Sequence, residues 1–197
     1  MTDLRAAAKA AFIYTLPLIE VATTRQRGMA LGQSMNAVTH VRSLANHRHR
    51  AVTTPNTDTL YSTAHIDLSA GPVTMVLPGM GDRYVSLALM DAYTNNFAIL
   101  GTRTTGPDGG TFRLVGPREA VEGPNVVRSP TDHVWALARI LVEGPHDIVS
   151  IGVGIGPHAV VAIHQDTVLG VGKPGHVQPV PAPALAIPGR GQQPIHH

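Results

Sequence analysis

From Leu60 to Gly144 the chain alternates polar and apolar residues, and clusters of glycine, proline and aspartate interrupt the alternation about every ten residues. Successive side chains of a strand point to opposite faces, so this pattern favours short half-buried strands over helices. Leu60, Ser62, Ala64 and Ile66 fall on one face, with Tyr61, Thr63 and His65 on the other. Strand-like runs follow at PVTMVLP (72–78), RYVSLALMD (83–91), NFAILG (96–101), GTFRLVG (110–116), NVVRS (125–129) and HVWALARILVEG (133–144). Turn signals separate them, including Gly-Met-Gly-Asp at 79–82 and Gly-Pro-Asp-Gly-Gly at 106–110. No long helical run lies between the strands, which argues against a parallel doubly wound sheet. The expected fold is mainly β, an antiparallel sandwich or barrel with an N-terminal helix.

The helix is read from Leu4, Ala8, Ala11, Phe12, Thr15 and Ile19, which recur at three- and four-residue steps behind Thr2 or Asp3 as N-cap. Pro17 interrupts the pattern and is expected to kink or split it, because proline removes a helical hydrogen bond. Residues 20–50 read as partly helical, then irregular. The expected organisation is a helical segment at 1–50 packed on the sheet, a β domain at 51–147, and an extension at 148–197. That extension holds 8 of the 20 glycines, 7 of the 16 prolines and one acid, Asp166. VSIGVGIGPHAVVAIHQDTVLGVG is compatible with two glycine-diluted strands. From Lys173 onward the proline spacing opposes any regular ladder, so poor order is expected.

Composition removes several function classes. With no cysteine there are no disulfides, thiolate metal sites or cysteine nucleophiles. Net charge is +2, the densest basic run is only His47-Arg48-His49-Arg50, and aromatics are 4%, so no nucleic-acid partner is expected. No HExxH or comparable spacing joins the histidines, so no metal and no cofactor is expected. There is no GxSxG elbow, and VGIGPH lacks the Lys-Ser/Thr of a phosphate loop. The apolar run AAFIYTLPLI is shorter than a membrane span and lacks signal-peptide order, giving the expectation of no membrane span and a cytoplasmic location.

Two polar knots remain. Asn56, Asp58 and Thr59 crowd the turn before a strand, and Tyr61 follows. Asp91, Tyr93, Thr94 and Asn95 follow another strand. Each suits a tight turn, because Asn and Asp bond nearby backbone amides. Each also suits a site, since ligand loops collect at sheet ends. Arg83 and Asp91 bracket one strand. Arg139 alternates with Trp135, Leu137 and Leu141, and if that face is buried it needs a partner such as Asp58 or Asp91. Trp135 on such a face is expected in the core.

In combination these motifs resemble a bacterial family, domain of unknown function 1254. They are Pro-Asn-x-Asp-Thr-x-Tyr at 55–61, Arg83-Tyr84 ahead of Asp-x-Tyr-Thr-Asn at 91–95, and Trp-x-x-x-Arg-Ile at 135–140, with Tyr-x-x-Pro-Leu at 14–18. The resemblance covers about residues 5–147. It implies a β-rich domain with an N-terminal helix, usually followed by a second, jelly-roll-like domain, and oligomers in some members. It implies no agreed substrate or catalytic residue. Shared positions are Asn56, Asp58, Thr59, Tyr61, Arg83, Tyr84, Asp91, Tyr93, Asn95 and Arg139. After Asp147 the sequence departs from the family pattern, so a truncated form lacking the second domain is expected.

Three functional expectations follow. One is a domain binding a small molecule or protein through Asn56, Asp58, Tyr61, Arg83, Tyr84, Asp91, Asn95 and Arg139, with a homo-oligomer as a further possibility. The second is a hydrolase or lyase-like site with Asp58 or Asp91 as base, Tyr61 or Tyr93 as acid, and Arg83 or Arg139 as anion clamp. The third is a structural module or a non-functional fragment. A separate expectation places both polar knots side by side at one end of the sheet, with an arginine between their carboxylates; such proximity would favour the enzyme over the binding domain.

Overall fold

The computed structural model describes residues 3–50, 54–144 and 162–165. Helix α1 spans Leu4–Ala30. Asp3 caps it, its side chain accepting from the Arg5 backbone N–H at 3.0 Å. The helix ends where Gly32 takes φ 92°, which lets Gln33 N–H reach the Gly28 carbonyl and Gly32 N–H reach Met29, both at 3.0 Å. Pro17 does not split it: the helix is continuous through that position. The proline leaves one carbonyl without its usual donor, but the turns on either side keep their own ladders. Thr15 adds a side-chain bond to the Ala11 carbonyl at 2.9 Å.

Nine strands follow among the described residues: β1 (Thr39–Val41), β2 (Thr59–Asp67), β3 (Val73–Pro78), β4 (Val85–Met90), β5 (Asn96–Gly101), β6 (Gly109–Val115), β7 (Val126–Arg128), β8 (His133–Leu141) and β9 (Ala162–Gln165). They form a five-stranded sheet, ordered β1-β2-β8-β4-β5, and a four-stranded one, ordered β7-β6-β3-β9. All pairings are antiparallel except β6 with β7. The architecture is a sandwich, and neither sheet closes into a barrel among the described residues. β1 falls in the stretch expected to be irregular. β9 falls in the glycine-diluted stretch and adds to β3. Residues 173–197 lie outside the described residues.

The core fills the space between the sheets. From the first sheet come Ala64, Ile66, Val85, Leu87, Leu89, Val134, Ala136, Ala138 and Ile140; Val73, Met75, Leu77, Phe112 and Leu114 come from the second. These are alternate residues of each strand, which explains the two-residue period. The other face of the first sheet carries Tyr61, Thr63, His65, Trp135, Leu137 and Arg139. Trp135 therefore stands on the outer face and not in the inter-sheet core. It is half-buried, stacked on His65 at 5.9 Å, with its indole N–H donating to Thr63 Oγ1 at 2.8 Å.

Helix α1 meets this outer face sparingly. Tyr14 contacts Tyr93 with ring centroids 5.3 Å apart, and Val21 is the one buried residue of the helix. Burial, and after it the Arg25 charge, lowers the His65 pKa; hydrogen bonds with Ser69, and after them the His133 and Arg25 charges, lower that of Asp67.

Candidate functional site

β2 and β4 both run antiparallel to β8, so they run parallel to each other with β8 between them. β3, which lies between them in sequence, belongs to the second sheet. This register separates the two polar knots. Thr59 pairs with Leu141, whereas Met90 pairs with Trp135, six residues back along β8. Asp58 precedes β2 and Asp91 follows β4, so they sit at opposite ends of the sheet, about 25 Å apart at 3.3 Å per residue. One shared network with an arginine between two carboxylates is excluded by topology.

At the Asp91 end the carboxylate closes its own turn. Asp91 is 5% exposed. Its Oδ1 accepts from the backbone N–H groups of Tyr93 (2.8 Å) and Asn95 (2.9 Å), and its Oδ2 from Asn95 Nδ2 (3.0 Å). These bonds hold Thr94 at φ 67°. Acting as a base would cost Asp91 bonds that define the loop. Tyr93 shares a hydrogen bond with Tyr14, and that bond, the Tyr14 charge, burial and the Asp91 charge together raise its pKa.

Six of the candidate residues gather at the other end. Asn56 closes the turn into β2, its Oδ1 accepting from Asp58 N–H (2.9 Å) and Thr59 N–H (3.1 Å). Asp58 is exposed, and its carbonyl accepts from Val142 N–H at 2.9 Å, tying the turn to the end of β8. Arg83 Nη1 donates to the Leu141 carbonyl at 2.8 Å. Leu141 N–H donates to the Tyr84 carbonyl at 3.0 Å. Tyr61, Arg139 and Ser86 form one cross-strand row on the outer face. The Arg139 guanidinium lies 5.6 Å from the centre of the Tyr61 ring. Next to that row, Arg103 lies 5.0 Å over the Tyr84 ring.

Arg139 is thus exposed and rests on an aromatic face, so the expected ion pair with Asp58 or Asp91 does not form. Such a partner is required only in a dry core, and this face is not the core. Among the described residues neither Arg103 nor Arg139 is in a salt bridge. Thr59 Oγ1 is buried at the same corner without a hydrogen-bond partner among the described residues.

Sequence reasoning missed Arg103. It lies in GTRTTG after β5, where nothing in the local pattern separates it from a turn residue. Only the β4–β5 pairing brings it to Tyr84. Gly101, at φ 144°, allows the required approach, because a side chain there would strike the Val85 carbonyl oxygen at 2.2 Å. Thr102 then locks the two strands, its Oγ1 donating to the Arg83 carbonyl and accepting from Val85 N–H, both at 3.0 Å.

Two other constellations are built differently. His40 Nδ1 and Ser62 Oγ are 2.7 Å apart, a nucleophile–base distance. Yet Ser62 is 4% exposed in mid-strand, and no carboxylate meets His40 among the described residues. Burial and the nearby Arg42 charge lower the His40 pKa, which favours a neutral ring satisfying a buried hydroxyl. Beside it a crevice of about 10 Å³, room for one water at most, is lined by Val38, Ser62, Thr63, Ala64, Leu87, Ala136 and Ala138. That is below the roughly 300 Å³ at which small-molecule pockets begin. No group of three potential metal ligands occurs among the described residues.

A two-sheet β sandwich with an arginine–tyrosine corner and no assembled catalytic constellation among the described residues defines a class of domain, not a chemistry. The chain belongs to the family described as protein of unknown function (DUF1254), whose model matches residues 35–153. It is similar in structure to the VPA0106 protein from Vibrio parahaemolyticus, with a TM-score of 0.61 and 24% identity over 78% of this chain. The match covers only 36% of that protein's length. A putative uncharacterised protein from Burkholderia cenocepacia gives a TM-score of 0.41 at 16% identity, over 74% of this chain and 40% of that one. No curated protein matches the chain.

Proposed function

We propose that this domain binds a small anionic ligand, carboxylate or phosphate in character, at the corner formed by Tyr61, Arg139, Tyr84 and Arg103. The observation that carries this is the pair of guanidiniums laid on tyrosine rings rather than on carboxylates. An arginine held by a ring face keeps its in-plane N–H donors free for a planar or tetrahedral anion. An arginine already in a bidentate salt bridge does not. Arg83 adds positive charge at the same corner, and Asp58 at its rim disfavours anions that approach from the turn.

The test is titration of the chain with inorganic phosphate and with citrate, followed through arginine side-chain N–H signals by NMR. Saturable shifts at Arg103 and Arg139 are expected, and Arg139→Ala or Arg103→Ala should each weaken binding by about tenfold, the cost of one charge-assisted contact. No saturable shift with either anion, or affinity unchanged in both variants, overturns the reading.

A further inference from the structure

Helix α1 is 27 residues long, yet only Val21 is buried. Tyr14, which meets the Tyr93 ring, the buried Val21, and Arg25, whose charge acts on His65 and Asp67, recur at helical spacing and define the face toward the sheet. The opposite face is apolar and open. Phe12, Ile13, Leu16 and Ile19 are 62%, 58%, 41% and 52% exposed. Single exposed apolar side chains need no explanation, but a contiguous stripe of four marks an interaction surface. By length and composition this helix could also cross a membrane, with a mean hydropathy of 1.3 over its most apolar window.

The charges bordering the stripe decide between occupants. Lys9 and Glu20 lie on the same side of the helix as Leu16, at about 20–40° from it, because residues advance 100° each. They are eleven residues apart, about 16 Å along the axis, with the apolar residues between them. An acid within the stripe disfavours burial in lipid. In an antiparallel pair of identical helices the same two charges become complementary. When Lys9 of one copy faces Glu20 of the other, Ile13 faces Leu16, and the two-fold axis repeats both contacts. Arg5 then lies opposite Thr24, and no like charges meet.

We propose that the outward face of α1 is an interface with a second copy of this chain, an antiparallel helix seam centred on Ile13 and Leu16 and closed at both ends by Lys9–Glu20 ion pairs. The sheets stand on the outer sides, leaving both arginine–tyrosine corners open. One helix pair falls at the small end of specific interfaces, below about 1,200 Å², so the dimer dissociates on dilution.

Sedimentation velocity on the full chain tests this. Wild type should shift from monomer to dimer with rising concentration, half-associated below about 100 μM. Lys9→Glu alone and Glu20→Lys alone should each leave monomer at that concentration, with unchanged circular dichroism. The double charge swap should restore the dimer, which a merely structural role of either residue would not produce. A wild-type monomer throughout the range, or a double swap that stays monomeric, overturns the proposal. So does a wild-type monomer that co-pellets with phosphatidylserine vesicles, which assigns the face to a bilayer.

Discussion

Asp91 offers the sharpest separation of a structural from a chemical role. Its carboxylate is buried and accepts three hydrogen bonds, two of them from the backbone of the turn it closes. Replacing it with alanine strips Tyr93 N–H and Asn95 N–H of their acceptor and releases Thr94 from its left-handed conformation. Hydrogen bonds to a charged group contribute about 1.5–3 kcal/mol each. Asn95 is exposed, so water replaces part of what is lost, and Asp91→Ala should cost about 3 kcal/mol. For a domain of this size that is a fall in Tm of roughly 10 °C. Asp91→Asn keeps the oxygen that both backbone donors use. It places an amide N–H₂ against Asn95 Nδ2, a conflict relieved when the Asn95 amide turns over and presents its oxygen. Its cost should be about 1 kcal/mol, one neutral hydrogen bond. Chemical denaturation of the two variants checks this. Asp91→Ala costing under about 1 kcal/mol, or Asp91→Asn as damaging as Asp91→Ala, would refute the turn-closing account.

Stability should also depend on pH in a specific window. His65 is held below its ordinary 6.5 by burial first and then by Arg25, and His40 by burial and Arg42. The unfolded chain therefore binds more protons, so this stability is present above pH 6.5 and lost as pH falls through the lower folded values. Asp67 is held below 3.8 mainly by its hydrogen bonds with Ser69, so its own loss comes only at still lower pH. Thermal melts should show a declining Tm just below pH 6.5 that His40→Gln with His65→Gln flattens; an unchanged slope in that variant would sink the assignment. Trp135→Ala should cost about 2 kcal/mol, less than the 3–5 of a core tryptophan, since the ring is only half-buried. Urea denaturation measures it, and a loss above about 4 kcal/mol would place the ring in a core after all.

The β architecture was legible because alternation is a local signal. Leu60, Ala64 and Ile66 announce their face within one strand, and glycine–proline turns mark where it ends. Strand partners are not local. Nothing in residues 59–91 reveals that β8, some fifty residues later, inserts between β2 and β4. That insertion sends the Asp58 and Asp91 knots to opposite ends. Period two also gives two faces without saying which is the core, and this misplaced Trp135. Leu137 and Leu141 share its face, but the core took the row of Ala136, Ala138 and Ile140. The arginine–tyrosine corner was half legible. Tyr61, Tyr84 and Arg139 stood out by motif, while Arg103 acquires meaning only through the β4–β5 pairing. The helix was read as packed on the sheet, and its open outer face appears only once the sheet-facing residues are known.

The placement of α1 distinguishes the two ends of the first sheet. The helix reaches the outer face through Tyr14 at Tyr93 and through Arg25 near His65 and Asp67, all toward the Asp91 end. That end is covered, its donors are consumed within turns, and its histidine is stacked on Trp135. At the opposite end, among the described residues, no ring or charge contact joins the helix to Tyr61, Arg139 or Tyr84, and Arg139 stays exposed. Positive charge held on ring faces therefore collects where the sheet is uncovered. The same division assigns separate tasks to the two sides of the helix, one anchoring the sheet and one facing away from it. A back-to-back pair through the outward side leaves both uncovered ends pointing to solvent. On these two proposals assembly and ligand binding draw on different residues, so the charge swaps at Lys9 and Glu20 should leave the arginine–tyrosine corner untouched.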